Sequence, residues 1–180
     1  PGNVFLGLAH RLDRPVSGTL LMCRTSKALS RINEMIRARK MEKIYYAICL
    51  DRPPEEKGQI SSYLGKNTLK NKAIISNKAF KNAKKAELHY EYIGIDAQYH
   101  LLKIKLETGR AHQIRAQLAS ISCPILGDVK YAKQRPLKDM SIALHAHSLR
   151  FIHPVTKADL RISASPPKTS WWQSMQDHIR

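Results

Sequence analysis

Residues 10–18 combine groups that could act as an acid, a base or a nucleophile. The segment reads His-Arg-Leu-Asp-Arg-Pro-Val-Ser-Gly, so Asp13 lies between Arg11 and Arg14. Positive charge close to a carboxylate favours its ionised form, and we therefore expect Asp13 to be ionised at neutral pH and able to act as a nucleophile or a base. The proline and glycine indicate an irregular loop, a common location for functional residues. An Asp–Arg pair that merely holds a turn is the structural alternative.

A second segment, residues 43–47, reads Lys-Ile-Tyr-Tyr-Ala. Alternation along a strand puts Lys43 and Tyr45 on one face and Tyr46 on the other. A tyrosine can stack on a nucleic-acid base and can exchange a proton. Two core tyrosines are the alternative interpretation.

A third segment, residues 108–115, reads Thr-Gly-Arg-Ala-His-Gln-Ile-Arg. Thr-Gly would end a strand and open a helix whose Ile114 and Leu118, four residues apart, face the core. Arg110 and Arg115 would then lie along a neighbouring stripe. Positive charge early in a helix opposes the helix dipole, so we expect these arginines to pair with a carboxylate or a phosphate rather than simply to lie on the surface.

Charge is the strongest signal in the composition. The 180 residues carry 31 Lys and Arg against 14 Asp and Glu, a formal charge of +17. A surface of this kind attracts polyanions such as RNA, DNA or anionic membranes. Residues 64–88 are either a solvated hairpin or an RNA-backbone contact surface, since they contain one acid, Glu87, and seven lysines: 66, 70, 72, 78, 81, 84 and 85. No run of eighteen apolar residues occurs, so we expect no membrane-spanning segment.

The cysteines indicate neither a disulfide framework nor a zinc site. Cys23, Cys49 and Cys123 are few, widely spaced and without a CxxC pair. Their number and spacing fit a reducing cytoplasm best.

Hydrophobic periodicity predicts short strands interspersed with helices and no regular βαβ alternation, which favours a mixed α+β domain. The predicted helices are one capped by Thr25 or Ser26, one over 111–120 and a last short one containing Trp171 and Trp172. The predicted strands are 18–23, 43–50, 86–93, 99–106, 142–151 and 159–163.

Taken together, these segments resemble the RluA-type pseudouridine synthases. The family pattern is HRLD-x-x-(T/S)-G, K-x-Y-x-A, (T/L)-x-GR-x-HQIR and P-I-x-GD-x-x-Y. The chain has HRLDRPVSG at 10–18, KIYYA at 43–47, TGRAHQIR at 108–115 and PILGDVKY at 124–131, in the same order, and its LHAHSLRFIHP at 144–154 is also similar to the family.

The resemblance implies a fold and a set of roles. The fold would be the pseudouridine synthase fold, a mixed, largely antiparallel sheet flanked by helices. Asp13 would be the catalytic carboxylate, Arg115 its orienting partner, and Tyr45 the residue that stacks on the uracil and exchanges a proton. Five further residues would bind the substrate: His10, Arg11, Lys43, Arg110 and His112.

The resemblance also implies an RNA pseudouridine synthase that acts on structured RNA, ribosomal or transfer RNA, without a metal or an organic cofactor. We expect a monomer in the cytoplasm. The family has a strand region upstream of His10, and we therefore expect residues 1–180 to be a single catalytic domain that is incomplete at its N-terminus and belongs to a longer chain.

Three alternatives have a different chemical basis. A non-catalytic RNA-binding module would use the same basic surface, with Asp13 purely structural. A metal-dependent hydrolase could use His145, His147 and His153, but no carboxylate or cysteine near them in sequence completes a ligand set. A glycosidase usually needs two carboxylates, and beside Asp13 the motifs offer only Asp128, in what looks like a structural turn.

Overall fold

The computed structural model describes residues 4–69 and 71–179, so Lys70 of the lysine-rich segment lies outside the described residues. The strands are β1 (Gly7–Leu8), β2 (Ser17–Gly18), β3 (Met22–Cys23), β4 (Met41–Cys49), β5 (Lys57–Asn67), β6 (Lys72–Ser76), β7 (Lys84–Asp96), β8 (Tyr99–Leu106), β9 (Leu144–Ile152) and β10 (Asp159–Ser163). The helices are α1 (Ser26–Arg37), α2 (Gln113–Ser120), α3 (Ser170–Ser174) and a short 3-10 helix (Gln176–His178).

Eight of the strands form one sheet. Seven follow the order β10-β9-β4-β8-β7-β5-β6, each antiparallel to its neighbours. The eighth, β2, pairs with β9 in parallel. The expected mixed, largely antiparallel α+β architecture is therefore confirmed. No helix within residues 4–69 and 71–179 is long and apolar enough to cross a membrane.

The core lies along the central strands of this sheet. Leu88, Leu101, Leu102 and Ile104 of β7 and β8 are completely buried, and α2 adds Leu118 to the same cluster. Full burial of each such side chain contributes about 1.5–3 kcal/mol. The central strands therefore provide a rigid platform beneath α2.

Helix α1 packs elsewhere, against β4 and β9. Its Ile32 contacts the cluster that contains Met41 and Phe151. The helix begins where the sequence predicts, because Thr25 is the N-cap and its hydroxyl accepts a hydrogen bond of 3.1 Å from the Ala28 amide.

The predicted strand over residues 18–23 is wrong. The segment is divided between β2, which pairs with β9, and β3, which pairs with β1 in a separate two-stranded sheet. Gly18 has φ +125°, a conformation that turns the chain out of a regular strand. Leu20 and Met22 consequently lie about half exposed rather than in the core.

Candidate active site

The loop that carries Asp13 is fixed by its own backbone. The Asp13 carbonyl accepts a hydrogen bond of 2.9 Å from the Val16 amide, which closes a turn around Pro15. On the other side, His10 Nε2 accepts a hydrogen bond of 3.2 Å from the Leu21 amide. Burial, together with the charge of Lys43, lowers the pKa of His10, so the neutral ring can remain an acceptor at neutral pH.

The end of the loop is attached to β9. The amide of Thr19 donates to the Ala146 carbonyl at 2.8 Å, and a Cβ on Gly18 would lie only 2.2 Å from that same oxygen. Ser17 Oγ lies 2.8 Å from His145 Nδ1, while His145 Nε2 lies 2.9 Å from the carbonyl oxygen of Ala164. Because a carbonyl can only accept, Nε2 carries the proton and the Ser17 hydroxyl donates to Nδ1. The position of the loop thus depends on a close backbone approach that only glycine permits.

Asp13 forms the expected ion pair with Arg115, which lies 102 residues further along the chain. Arg115 Nη1 lies 3.3 Å from Asp13 Oδ2. The guanidinium is buried, whereas the Asp13 side chain is 22% exposed. One group is thus enclosed by the fold, and the other remains accessible to a ligand.

Asp128 has a role in the site that sequence reasoning missed. It is completely buried and receives two hydrogen bonds of 2.7 Å from Arg115, from Nε and from Nη2. It also shapes the turn that the sequence indicated, since its Oδ1 accepts a bond from the Lys130 amide. Burial would lower the pKa of Arg115, but Asp128 and Asp13 together raise it above its ordinary value. Arg115 is therefore a permanent cation held between two carboxylates.

A cavity of about 380 Å³ opens beside Asp13. It brings together all the residues that the sequence singled out as catalytic or substrate-binding: His10, Arg11, Asp13, Lys43, Tyr45, Arg110, His112 and Arg115.

The two adjacent tyrosines diverge as strand alternation predicts. Tyr45 lines the cavity, whereas Tyr46 is buried in the core with its ring centroid 5.0 Å from that of His147. Burial and the nearby charge of Asp13 raise the pKa of Tyr45 to about 12. Tyr45 is therefore a neutral phenol at neutral pH, able to stack and to share its hydroxyl proton.

The start of α2 differs from the prediction. The helix begins at Gln113, so Arg110 and Ala111 precede it, and the predicted stripe of Arg110 with Arg115 is wrong. The side-chain oxygen of Gln113 accepts hydrogen bonds from the Arg110 amide at 3.0 Å and from the Thr108 hydroxyl at 2.8 Å. The helix cannot extend back to Arg110 because His112 has a left-handed backbone with φ +55°, and the Nε of Arg110 donates instead to the carbonyl of Lys85.

His112, the residue before α2, lies close to Asp13 in a left-handed backbone conformation with φ +55°. Its Nε2 is 4.0 Å from Asp13 Oδ2, and its Nδ1 is 3.0 Å from the hydroxyl of Tyr131. Burial lowers the pKa of His112 despite the opposing effect of Asp13. The ring is therefore mainly neutral at neutral pH and contributes no full charge to the site.

Tyr131 connects the site to the lysine-rich hairpin of β5 and β6 and was also missed. Its hydroxyl accepts a hydrogen bond of 2.7 Å from the Ala73 amide, and its ring lies 5.3 Å from the guanidinium of Arg115. Both Asp128 and Tyr131 belong to the 124–131 stretch that resembles the family, and there the sequence indicates no more than a structural turn at Asp128.

The histidines proposed for a metal site have other partners. His145 and His147 both lie within hydrogen-bond distance of the Ala164 carbonyl, whereas His153 lies in a turn beside Thr156. Among the residues that the structure describes, no three His, Cys, Asp or Glu are grouped to hold a metal ion.

Comparison with known proteins identifies a family. Residues 2–120 match the model of the RNA pseudouridylate synthase family. The chain is 33% identical over 182 residues to the "tRNA pseudouridine synthase C" of Vibrio parahaemolyticus, covering 92% of the chain and 73% of that protein. It is 35% identical over 176 residues to the "Ribosomal large subunit pseudouridine synthase C" of Buchnera aphidicola, covering 91% of the chain but only 54%, about half, of that protein. The solved structure of "Human RNA Pseudouridylate Synthase Domain Containing 4" has the same fold, with a TM-score of 0.77 at 22% identity, over 95% of this chain and 75% of that one.

Proposed function

Because the chain belongs to the RNA pseudouridylate synthase family, we propose that it converts uridine in RNA to pseudouridine with Asp13 as the catalytic carboxylate. One observation carries the proposal: a partly exposed Asp13 is held by the buried Arg115 at the wall of a cavity that also contains Tyr45. A structural ion pair has no need of such a cavity, whereas a carboxylate that must meet a substrate does.

The reaction needs little more than this set of residues. The C1′–N1 bond of uridine breaks and a C1′–C5 bond forms, while C5 loses a proton and N1 gains one, so reactant and product have the same atoms. Asp13 would act as a nucleophile towards the ribose or the base, or as the base that deprotonates the sugar. No redox step occurs and no metal or organic cofactor is required. The target base must leave its stack to reach the cavity.

The other cavity residues have roles that fit their chemistry. Tyr45, a neutral phenol, would stack on the uracil and exchange a proton through its hydroxyl. Arg115 would orient Asp13. Substrate binding would fall to the residues on the rest of the wall, which are His10, Arg11, Lys43, Arg110 and His112.

We propose ribosomal or transfer RNA as the partner, since two relatives bear those names and the chain carries a charge of +17. A monomer would be sufficient, because one chain supplies all eight predicted site residues of the cavity. Residues 1–180 would act as one catalytic domain. The cytoplasm is the proposed compartment, in keeping with three buried cysteines that form no disulfide.

Asp13→Asn provides the test. The substrates would be ribosomal and transfer RNA transcribed in vitro with uridine tritiated at C5, because isomerisation releases this tritium into water. We expect the variant to release none above background while its RNA affinity stays within a few-fold of the wild type. Asp51→Asn, an exposed change outside the cavity, is the matched control and should retain turnover. Turnover by Asp13→Asn near the wild-type rate would refute the role of Asp13, and a wild type that binds RNA without tritium release would be an RNA-binding module.

A further inference from the structure

A second cavity, of about 910 Å³, adjoins the first at the Asp13 loop. It has more than twice the volume of the first, and the two cavities share six lining residues: Arg11, Leu12, Asp13, Val16, His112 and Arg115. Asp13 therefore faces two spaces, although the isomerisation of one uridine requires only one.

The rim of the second cavity carries cations. Arg11, Arg14 and Lys130 line it. Neither Arg11 nor Arg14 forms a hydrogen bond or an ion pair with another described residue, and the Lys130 ammonium group bonds only to the carbonyl of Asn71. Arg11 and Arg14 are exposed and Lys130 is half-buried. Cations without a carboxylate partner are well placed to receive a phosphate.

The rest of the lining is suited to a base. Met140 and Val129 are 69% and 51% exposed, so two apolar side chains face solvent inside a strongly basic region. Beside them lies Asp139, whose carboxylate accepts hydrogen bonds from the hydroxyl and the amide of Ser141 at 2.7 and 3.1 Å. These bonds lower the pKa of Asp139, which is therefore a carboxylate at neutral pH. A carboxylate accepts hydrogen bonds from the amino groups of cytosine, adenine or guanine. Uracil has no amino group, and its N3–H lies between two carbonyl oxygens that a carboxylate repels.

We propose that the second cavity binds the nucleotide adjacent to the target uridine, with Arg14 and Lys130 holding its phosphate and Asp139 accepting a hydrogen bond from its base. The inference rests on the proposed function. When the target base occupies the first cavity, its ribose lies at Asp13, and the phosphodiester chain must continue from that point. The second cavity begins at the same carboxylate. Asp139 is thus assigned as a determinant of sequence context, with a preference for an amino-bearing base over uracil.

The test uses a pool of RNA hairpins with one fixed uridine in the loop and random bases on both sides of it. Pseudouridine is mapped by sequencing after turnover, and the RNA retained by the protein on a filter is sequenced in parallel. We expect the wild type to disfavour uracil at one flanking position, and Asp139→Ala to lose this preference by several-fold in both readouts. Arg14→Gln and Lys130→Gln should raise KM for all sequences alike, leave kcat unchanged, and each reduce the slope of log affinity against log salt by about 1.

Lys138→Gln is the matched control, since Lys138 is exposed and next to Asp139 in sequence but does not line the cavity. Equal context preference in the wild type and Asp139→Ala, with Arg14→Gln and Lys130→Gln indistinguishable from Lys138→Gln, would overturn the inference even if turnover is normal. Absence of turnover by the wild type would instead count against the proposed function, and the filter-retained pool would still decide whether Asp139 selects the flanking base.

Discussion

Replacing Asp128 by asparagine should affect both stability and catalysis, although Asp128 is completely buried and does not line the first cavity. The substitution keeps the shape of the side chain but exchanges one acceptor oxygen for an NH₂ group. This group would face the Nε–H or the Nη2–H of Arg115, donor against donor. The substitution also leaves Asp13, at 3.3 Å, as the only remaining counter-charge that Arg115 contacts among the described residues.

The expected loss of stability follows from this geometry. Removing one partner of a buried ion pair costs about 3–5 kcal/mol. Asparagine retains one acceptor and Asp13 is still present, so we expect the lower end, about 3 kcal/mol. In a chain of this length 1 kcal/mol corresponds to about 2–4 °C in Tm, which predicts a fall of about 6–12 °C. Because Arg115 also orients Asp13, kcat should fall by about 10–100-fold, with KM little changed.

Circular dichroism melting and tritium release measure the two effects separately. The matched control is Asp159→Asn, the same chemical change in an exposed carboxylate that is bonded to Arg150, and this variant should melt and turn over like the wild type. If Asp128→Asn melts within about 2 °C of the wild type and retains its kcat, Arg115 needs no second carboxylate and the reasoning is wrong.

Three further outcomes are expected. Tyr45→Phe should lower kcat far more than Tyr46→Phe, because only Tyr45 lines the cavity; tritium release in the reverse order would show the strand face to be wrong. Gly18→Ala should lower the free energy of unfolding, measured with denaturant, by roughly 1–3 kcal/mol, because φ is +125° and the new Cβ would clash with the backbone of Ala146. Gly109→Ala should be tolerated, because its new Cβ would meet only the Lys43 ammonium group, at 3.7 Å. Burial lowers the pKa of His145, so the native state binds fewer protons than the unfolded state; its contribution to stability is present above about pH 6.5 and is lost as the pH falls through the folded value. The decrease in Tm from pH 7.5 to pH 5 should therefore be smaller in His145→Asn, and an unchanged decrease would contradict this origin.

Much of the fold follows from local pattern. Alternation alone gives the bounds of Tyr99–Leu106 and Asp159–Ser163, and Thr25 marks the start of α1, because each signal lies within a few residues of the element it specifies. The prediction of one strand over residues 18–23 is wrong because local pattern was its only basis. Its apolar residues suggest one strand, but its two halves pair with β9 and β1, and local periodicity does not encode that choice.

The candidate site likewise has features that the sequence predicts and features that it does not. The pairing of Asp13 with Arg115 and the divergence of Tyr45 from Tyr46 could be predicted, the first from the family resemblance and the second from strand alternation. The role of Asp128 could not, because a Gly-Asp turn is common and nothing in its local sequence indicates that it is buried against a guanidinium. Asp128 and Arg115 are thirteen residues apart, and only the packed fold brings them together.

Arg115 divides its N–H groups between Asp128 and Asp13, and this arrangement has a chemical consequence. One edge of the guanidinium, Nε with Nη2, is fully occupied by Asp128, and Nη1 is left for Asp13. Asp13 could therefore be protonated, or esterified during turnover, while the arginine stays anchored. A lysine at position 115 could not replace the arginine, because an ammonium group is not planar and cannot form this bidentate pair. The guanidinium bonds one carboxylate through two N–H groups and still donates a separate N–H to the other. The carboxylate that we propose as the reacting group is thus the one that the arginine can release.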